Sequence, residues 1–542
     1  MLYLATILSS LSLLLGGAGP SFVQQEPAAQ PVVALSITGH GWGHGVGMCQ
    51  WGAYGFAQHG STYAQILAHY YRGTELGRTP GPTQVRILLV DGATTLAIAS
   101  QAPFAVEDAT GESYDLAAGS LTLGNGLRIK VDPDKPAKQL TGPLVFKAGA
   151  APLSVDGKRY RGALEVSVVN GRLRVVNVVG LDAYLLGVVP SEVPFTWPAE
   201  ALKAQAVAAR SYALAIRKPG RPFDAYADVR SQVYGGLDAE KPQTTDAVQA
   251  TSGQIVLYGG KVATTYFFST SGGRTASIEE AWPGAQPVPY LVSVPDPYDT
   301  ASPYHTWGPL PVTAEKLRTT FKLPRVPVDA RVEAGRSGRV SEVVFALSGG
   351  GEVSVPAGTV RAALGLRSTW FQVGVLALRP PGTSPVTFGT KAPFGGVVRA
   401  LSNVRLERQP LGGGWEKVGA VAAGKNGEFT VQVRGQMTAD YRLAADKLKG
   451  PAVRLVVAPK LKLVLRGAPG TLAGRVRPAF PGATVVVQRL ERARWTRAAT
   501  ARVDARGAFG ADLVLPAGTY RARLAPRAGY AVGLSEPLVV TS

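Results

Sequence analysis

The stretch from Leu181 to Lys218, LDAYLLGVVPSEVPFTWPAEALKAQAVAARSYALAIRK, constrains this chain more than any other. Ala201, Leu202, Ala206, Ala209, Ala213 and Ile216 recur at three- and four-residue steps, so its second half is predicted to be a helix with one apolar face. Thr196-Trp197-Pro198 opens that helix and Glu200 lies in its first turn. Arg217-Lys218 close it before the breaker Pro219-Gly220, in agreement with the helix dipole. Just upstream, Glu192 stands between Pro190 and Pro194, which bar helix on either side of it. Val188, Val189, Val193, Phe195 and Trp197 surround it with apolar groups. A carboxyl so placed ionises reluctantly, because burial disfavours its charged form. A raised pKa suits a general acid near neutral pH. The local pattern is equally compatible with a loop glutamate or a capping carboxylate.

The run PSEVPFTWPAEALKAQAVAARSYA resembles the signature of the SpoIID/LytB (stage II sporulation protein D) family, whose characterised members are lytic transglycosylases acting on peptidoglycan glycan strands. The resemblance puts the family's catalytic glutamate on Glu192 and its Lys-Ala-Gln-Ala-x-Ala-Ala-Arg helix on Lys203 to Arg210. It implies that Lys203, Gln205, Arg210 and Tyr212 position sugar and loop.

A second stretch, Pro31 to Thr74, contains GHGWGHGVGMCQWGAYGFAQHG. Gly39, Gly41, Gly43, Gly45 and Gly47 alternate with larger residues, which lets this backbone approach another surface closely. From Met48 the pattern turns helical, breaks at Gln58 to Gly60 and resumes as a short helix over Thr62 to Tyr71. His40 and His44 are four apart, but the intervening glycines oppose the helix that would align them, and no acidic third ligand is adjacent. Hydrogen bonding by His40, His44 and Gln50 to substrate or to the Glu192 loop is expected instead, with no metal and no cofactor. The stretch is similar to the family's GHGxGHGVGMSQxGA module, which lines the active cleft, with Cys49 where Ser is usual. In the family that module follows an LRST-F stretch, present here as Leu366 to Phe371; in this chain it comes first. A circular permutation accounts for the order if the old termini were surface neighbours. It requires Val32–Thr38 to lie beside Phe371–Leu378.

Ser269, Thr270, Ser271, Gly272 and Gly273 form a turn that presents hydroxyls and backbone amides. The resemblance matches it to an STxGG-x-T segment facing the glutamate. Some members bind zinc through Cys and His in and near this run; Ser271 and Arg274 stand here, so no metal is carried over.

At 542 residues the chain suggests several domains. Hydrophobic content of 46%, with 65 Gly and 40 Pro, favours many short strands joined by tight turns. The expected fold class is α+β and β-rich, a SpoIID-like catalytic domain followed by two tandem β-sandwich (Ig-like) modules. Residues 1–30 read as a signal peptide and leader, with an apolar run Leu2 to Leu15 and small residues near Ala18. Residues 31–378 read as the catalytic domain. Within it, 31–79 is the glycine-histidine module, 85–180 a β subdomain with DG, GNG, DGK and NG turns, 181–300 the core, and 301–378 an α/β closing segment. Modules at 385–460 and 461–542 are read from a repeat: Gly427, Phe429 and Tyr441 follow Trp415 at 12, 14 and 26 residues, and Gly507, Phe509 and Tyr520 follow Trp495 at 12, 14 and 25.

One cysteine permits no internal disulfide. Of the net charge of +20, residues 371–542 carry +17 (26 Lys/Arg against 9 Asp/Glu). In an exported envelope protein such a surface meets anionic envelope polymers rather than nucleic acid. No membrane span is expected after the signal. Ordinary glycosidases use two carboxylates, and Glu192 has no matched second acid. The resemblance resolves this, because a lytic transglycosylase uses the C6 hydroxyl of N-acetylmuramic acid as internal nucleophile. The rival expectation is a non-catalytic wall binder or amidase activator.

Overall fold

The computed structural model describes residues 30–541 except 133, 219, 447, 467–470, 513–515 and 527–528. The signal-peptide reading lies outside the described residues. The described residues form two compact units, 34–375 and 376–541, the latter with 30–33. Both are rich in strands, and the first carries the helices named below.

In the first unit, residues 84–180 build two sheets. One has seven strands, in the order Ala225–Tyr226, Gln84–Ala93, Arg172–Gly180, Ala163–Val169, Leu144–Lys147, Phe104–Glu107 and Ser113–Leu116. The other has four: Lys158–Tyr160, Leu153–Val155, Thr95–Ser100 and Gly119–Gly124. Alternation of apolar and polar residues along these strands puts Val85, Ile87, Phe146, Leu164, Val166 and Val175 into one core.

Five helices frame the candidate site: α1 (Gln50–Gln58), α2 (Tyr63–Tyr70), α3 (Leu181–Glu192), α4 (Ala199–Ala215) and α5 (Pro242–Ala250). Each stop signal acts where its chemistry allows. Thr62 and Gln65 close a capping box on α2. Cys49 caps α1, its sulfur accepting the Gly52 N–H at 3.2 Å, so the thiol does the work a serine hydroxyl would do at an N-cap.

One expectation is corrected. Pro190 does not bar helix: α3 runs through it and ends on Glu192 itself. The last turn survives because its bonds are remade around the ring, the Ser191 hydroxyl donating to the Gly187 carbonyl at 2.8 Å and the Val193 N–H to the Val189 carbonyl at 3.1 Å. The expected face of α4 is present, and the helix carries a second. Leu202, Ala206, Ala209 and Ala213 enter the β-subdomain core, while Ala204, Val207 and Ala208 enter a second core with α1, α2 and Val256. A helix buried on both sides is apolar nearly all round, and alanine lets both cores come close.

Residues 34–40 of the strand Val32–His40 lie between the strand Thr306–Val312 and residues 371–375. The strand's end is fastened to the Leu366–Phe371 run: the His40 N–H donates to the Trp370 carbonyl at 2.8 Å and the Ser368 hydroxyl to the His40 carbonyl at 2.6 Å. These two distant parts of the sequence are therefore neighbours.

In the second unit, Lys391–Arg399 pairs antiparallel with Glu428–Arg434, and residues 405–455 and 460–540 form further small antiparallel sheets. The repeat is visible in three dimensions. Tyr441 and Tyr520 are fully buried, Gly427 and Gly507 both have φ near +80° (79° and 80°), and Arg442 and Arg521 cover the Trp415 and Trp495 rings at 3.9 and 4.1 Å. Among the described residues, no helix is long and apolar enough to cross a membrane.

Candidate active site

Glu192 is a half-buried acid at the C-terminal end of α3. Its Oε1 accepts the Val233 N–H at 2.7 Å. That donor is aimed by its neighbours. The fully buried Gln232 donates to the Ala209 carbonyl of α4 and accepts from the Tyr184 hydroxyl of α3, both at 3.2 Å, and the Gly235 N–H reaches the Gly187 carbonyl at 3.1 Å. Burial pushes the Glu192 carboxyl above the ordinary carboxylate range, and the Val233 N–H and nearby Gln50 only temper the rise. Gln50 is itself buried, and its Nε2 makes no hydrogen bond of standard geometry although it stands beside the acid. Tyr184 and Tyr212 both feel the Glu192 charge. Burial pushes the Tyr212 phenol up to about 12, with Tyr266 and Glu192 adding to it.

The other residues expected at the site fall into two sets. Gln50, at the start of α1, and Tyr212, on α4, share the neighbourhood of Glu192. Gln205 is buried on α4 with both amide atoms lacking a hydrogen-bond partner. Lys203 turns instead to Glu200 at 2.8 Å, whose other oxygen accepts the Tyr63 N–H at the start of α2. Arg210 is fully buried. It donates to Asp182 of α3 at 2.7 Å, to the Gln254 carbonyl at 3.1 Å and to the Val248 carbonyl of α5 at 3.2 Å, so it clamps α3 and α5 to α4. His44 has both nitrogens engaged, Nε2 with the Phe267 carbonyl at 3.0 Å and Nδ1 with the Val46 N–H at 3.1 Å, and burial pushes it down to about 4.

The glycine-histidine arm meets the Ser269–Gly273 turn at very short range. Trp42 and Thr270 exchange backbone hydrogen bonds at 2.8 and 3.1 Å, and the Trp51 N–H donates to the Ser269 carbonyl at 3.0 Å. Gly41 has φ of +72°, and a Cβ there would lie 2.6 Å from the Thr270 carbonyl; at Gly47 it would lie 2.1 Å from that of Tyr266. Gly272 is as tight, since its Cβ would lie 2.5 Å from that of His40. His40 rests on Trp370 and edges towards His305, with its Nδ1 unpartnered.

Sequence reasoning missed the acid that organises this turn. Asp299 is fully buried and accepts from the Ser271 hydroxyl (3.0 Å), the Gly272 N–H (2.6 Å) and His305 Nδ1 (2.7 Å). Thr270 and Ser302 share a hydroxyl contact at 2.7 Å beside it. The only sequence signal was the dense polar run DPYDT, which has no periodicity. Asp296 lies near, its carboxyl pushed up to about 6 by burial and then by Asp299. Its oxygens make no hydrogen bond of standard geometry, although Cys49, Ser271 and Tyr70 stand close enough to temper that rise. Cys49 Sγ and these two carboxylates gather within 4.8 Å and are, among the described residues, the potential metal ligands that cluster. Three protein ligands are one fewer than a closed structural zinc site uses, and Cys49 Sγ already accepts the Gly52 and Ser271 N–H groups, each at 3.2 Å.

The surface cavity of about 320 Å³ lined by Thr79, Asp182, Arg210 and Ser252 opens at the first turn of α3, the end away from Glu192.

Comparison with known proteins agrees with this geometry. Residues 169–258, which include α3, α4, α5 and Glu192, match the Stage II sporulation protein family SpoIID. The chain is 34% identical over 217 residues to an uncharacterized protein of Brachyspira hyodysenteriae, covering 39% of this chain and 57% of that one. It is 33% identical over 180 residues to the amidase enhancer of Bacillus subtilis (33% and 23%) and 37% identical over 145 residues to the stage II sporulation protein D of that organism (24% and 42%). The matched parts thus span between about a quarter and three fifths of these relatives' own lengths. The segment that builds the acid and its clamp is the segment that matches the SpoIID family.

Proposed function

We propose that this protein is an exported cell-envelope enzyme that cleaves the MurNAc-GlcNAc β-1,4 bond of peptidoglycan glycan strands as a lytic transglycosylase. The observation that carries the reading is the state of Glu192: a partly buried carboxyl with a raised pKa, Oε1 held by the Val233 N–H and Gln50 standing beside it. Among the described residues no second carboxylate perturbs it. The protonated Oε2 gives its proton to the glycosidic oxygen as the C1–O bond breaks. The resulting carboxylate then takes the proton of the substrate's C6 hydroxyl while O6 bonds to C1, leaving a 1,6-anhydroMurNAc end and a new 4-hydroxyl. One residue serves as acid and then base. Arg210 and Gln232 hold α3 and the Val233 donor in place. The order of the arm and the Leu366–Phe371 run is read as a circular permutation, supported by their adjacency. The basic second unit is assigned to anionic envelope polymers.

The test is mass analysis of glycan strands incubated with the protein and with Glu192→Gln. Anhydro-ended fragments from the first and none from the second are expected. Cleavage that survives the substitution sinks the role of Glu192. A second reading, activation of a separate wall amidase without cleavage, is favoured by the name of one relative, the amidase enhancer. It predicts strand binding with no fragments from either protein.

A further inference from the structure

Beside Glu192 the fold assembles three aromatic rings from two separate parts of the chain. Trp51 follows Gln50 on α1, Tyr54 lies one turn further, and Trp197 comes from the loop between Glu192 and α4. The centroids of Trp51 and Trp197 are 5.1 Å apart at 61°, those of Tyr54 and Trp197 5.1 Å at 49°, and those of Trp51 and Tyr54 5.4 Å at 70°. Rings at such angles form a trough rather than a closed stack. All three are partly exposed. Trp197 packs on the core of the β subdomain and Trp51 on the core of α1 and α2, so the trough straddles the seam between the two. Phe195, three residues after Glu192, is 38% exposed and carries Lys241 at 5.7 Å over its ring, outside the three-ring cluster.

We propose that this trough is a saccharide subsite that seats one N-acetylated pyranose of the strand next to the bond facing Glu192. The assignment rests on the glycan reading above and adds the residues that grip the sugar. Two observations and the chemistry of the sugar favour a neutral ring over a charged stem peptide. Among the described residues, no cation lies over Trp51, Tyr54 or Trp197, although cations cover other rings of the unit. Lys203 of α4 is paired with Glu200. A pyranose presents a flat C–H face and an acetyl methyl to an indole while its hydroxyls stay in water, which is the mixed character that amphipathic aromatic rings accommodate.

The experiment uses the full-length Glu192→Gln protein, so binding is read without turnover. Tryptophans are oxidised with a mild indole reagent in the presence and absence of peptide-free glycan strands and located by mass spectrometry. Strands are expected to protect Trp51 and Trp197, and Trp197→Ala is expected to weaken strand binding at least tenfold. Trp197→Tyr, which keeps a ring, should restore most of that loss and guards against misfolding. Strand binding that leaves both rings fully oxidisable overturns the subsite. So does equal protection by isolated stem peptide, or no binding of strands at all. Protection of both rings with no anhydro ends from the wild-type protein upholds the subsite and refutes the cleavage reading instead.

Discussion

Two buried acids of the first unit, Glu192 and Asp299, are built in opposite ways. Asp299 is sealed from solvent and saturated, with a hydroxyl, a backbone N–H and an imidazole donating to it. Glu192 is partly buried and has one backbone donor. Saturation with donors fixes geometry, so Asp299 is a fastener for the turn that receives the glycine-histidine arm. Under-solvation without saturation holds a proton, and an accessible proton can be delivered. Burial alone does not make a carboxyl reactive; burial short of full satisfaction does.

The comparison breaks most sharply on substitution. Glu192→Gln should lower strand cleavage by a factor of about 10³ or more, in the upper range of general acid–base effects, without loss of thermal stability, read by fragment release and by melting. Asp299→Ala should do the reverse in kind. It leaves the Gly272 N–H, the Ser271 hydroxyl and His305 without their acceptor, at a cost of about 3 kcal/mol or more. A melting point that does not fall would show that the turn is held by something else. The neighbouring Asp296 supplies a pH test. Its carboxyl titrates at about 6 against an ordinary 3.8. The folded state therefore holds a proton the unfolded chain has released, and stability falls as pH rises through that window. Asp296→Asn should remove the slope and gain about 3 kcal/mol at pH 7, since one pKa unit corresponds to about 1.4 kcal/mol. Glu192 carries the same sign, so the activity it supports as a protonated acid should decline at a pH above the usual carboxylate range. The smallest effect is expected at Lys203. Lys203→Ala breaks a partly exposed pair with Glu200 and should cost less than about 1 kcal/mol in a denaturant titration.

Much of this was legible in order of residues alone, where the signal is periodic or stereochemical. The alanine helix, the two short helices after Met48, the hairpins of residues 85–180 and the close approach allowed by Gly41 and Gly47 all belong to that class. What escaped is tertiary. Pro190 inside α3 is tolerated because Ser191 and Val193 remake the turn, and no propensity scale contains that. The second buried face of α4 is invisible because alanine reads as indifferent to its surroundings. Arg210, expected near sugar, is drawn inside by Asp182 and two carbonyls from other elements. Asp299 gathers partners from residues 271, 272 and 305, and Trp197 meets Trp51 only because two cores abut.

The double burial of α4 has a mechanical consequence. Glu192 hangs from the partner on one flank of this rod and Gln50 from the partner on the other, so the jaw opening between proton donor and arm is gauged by methyl groups. A single Ala208→Leu exchange would act as a shim, prising the jaws apart while every chemically active side chain stayed unaltered.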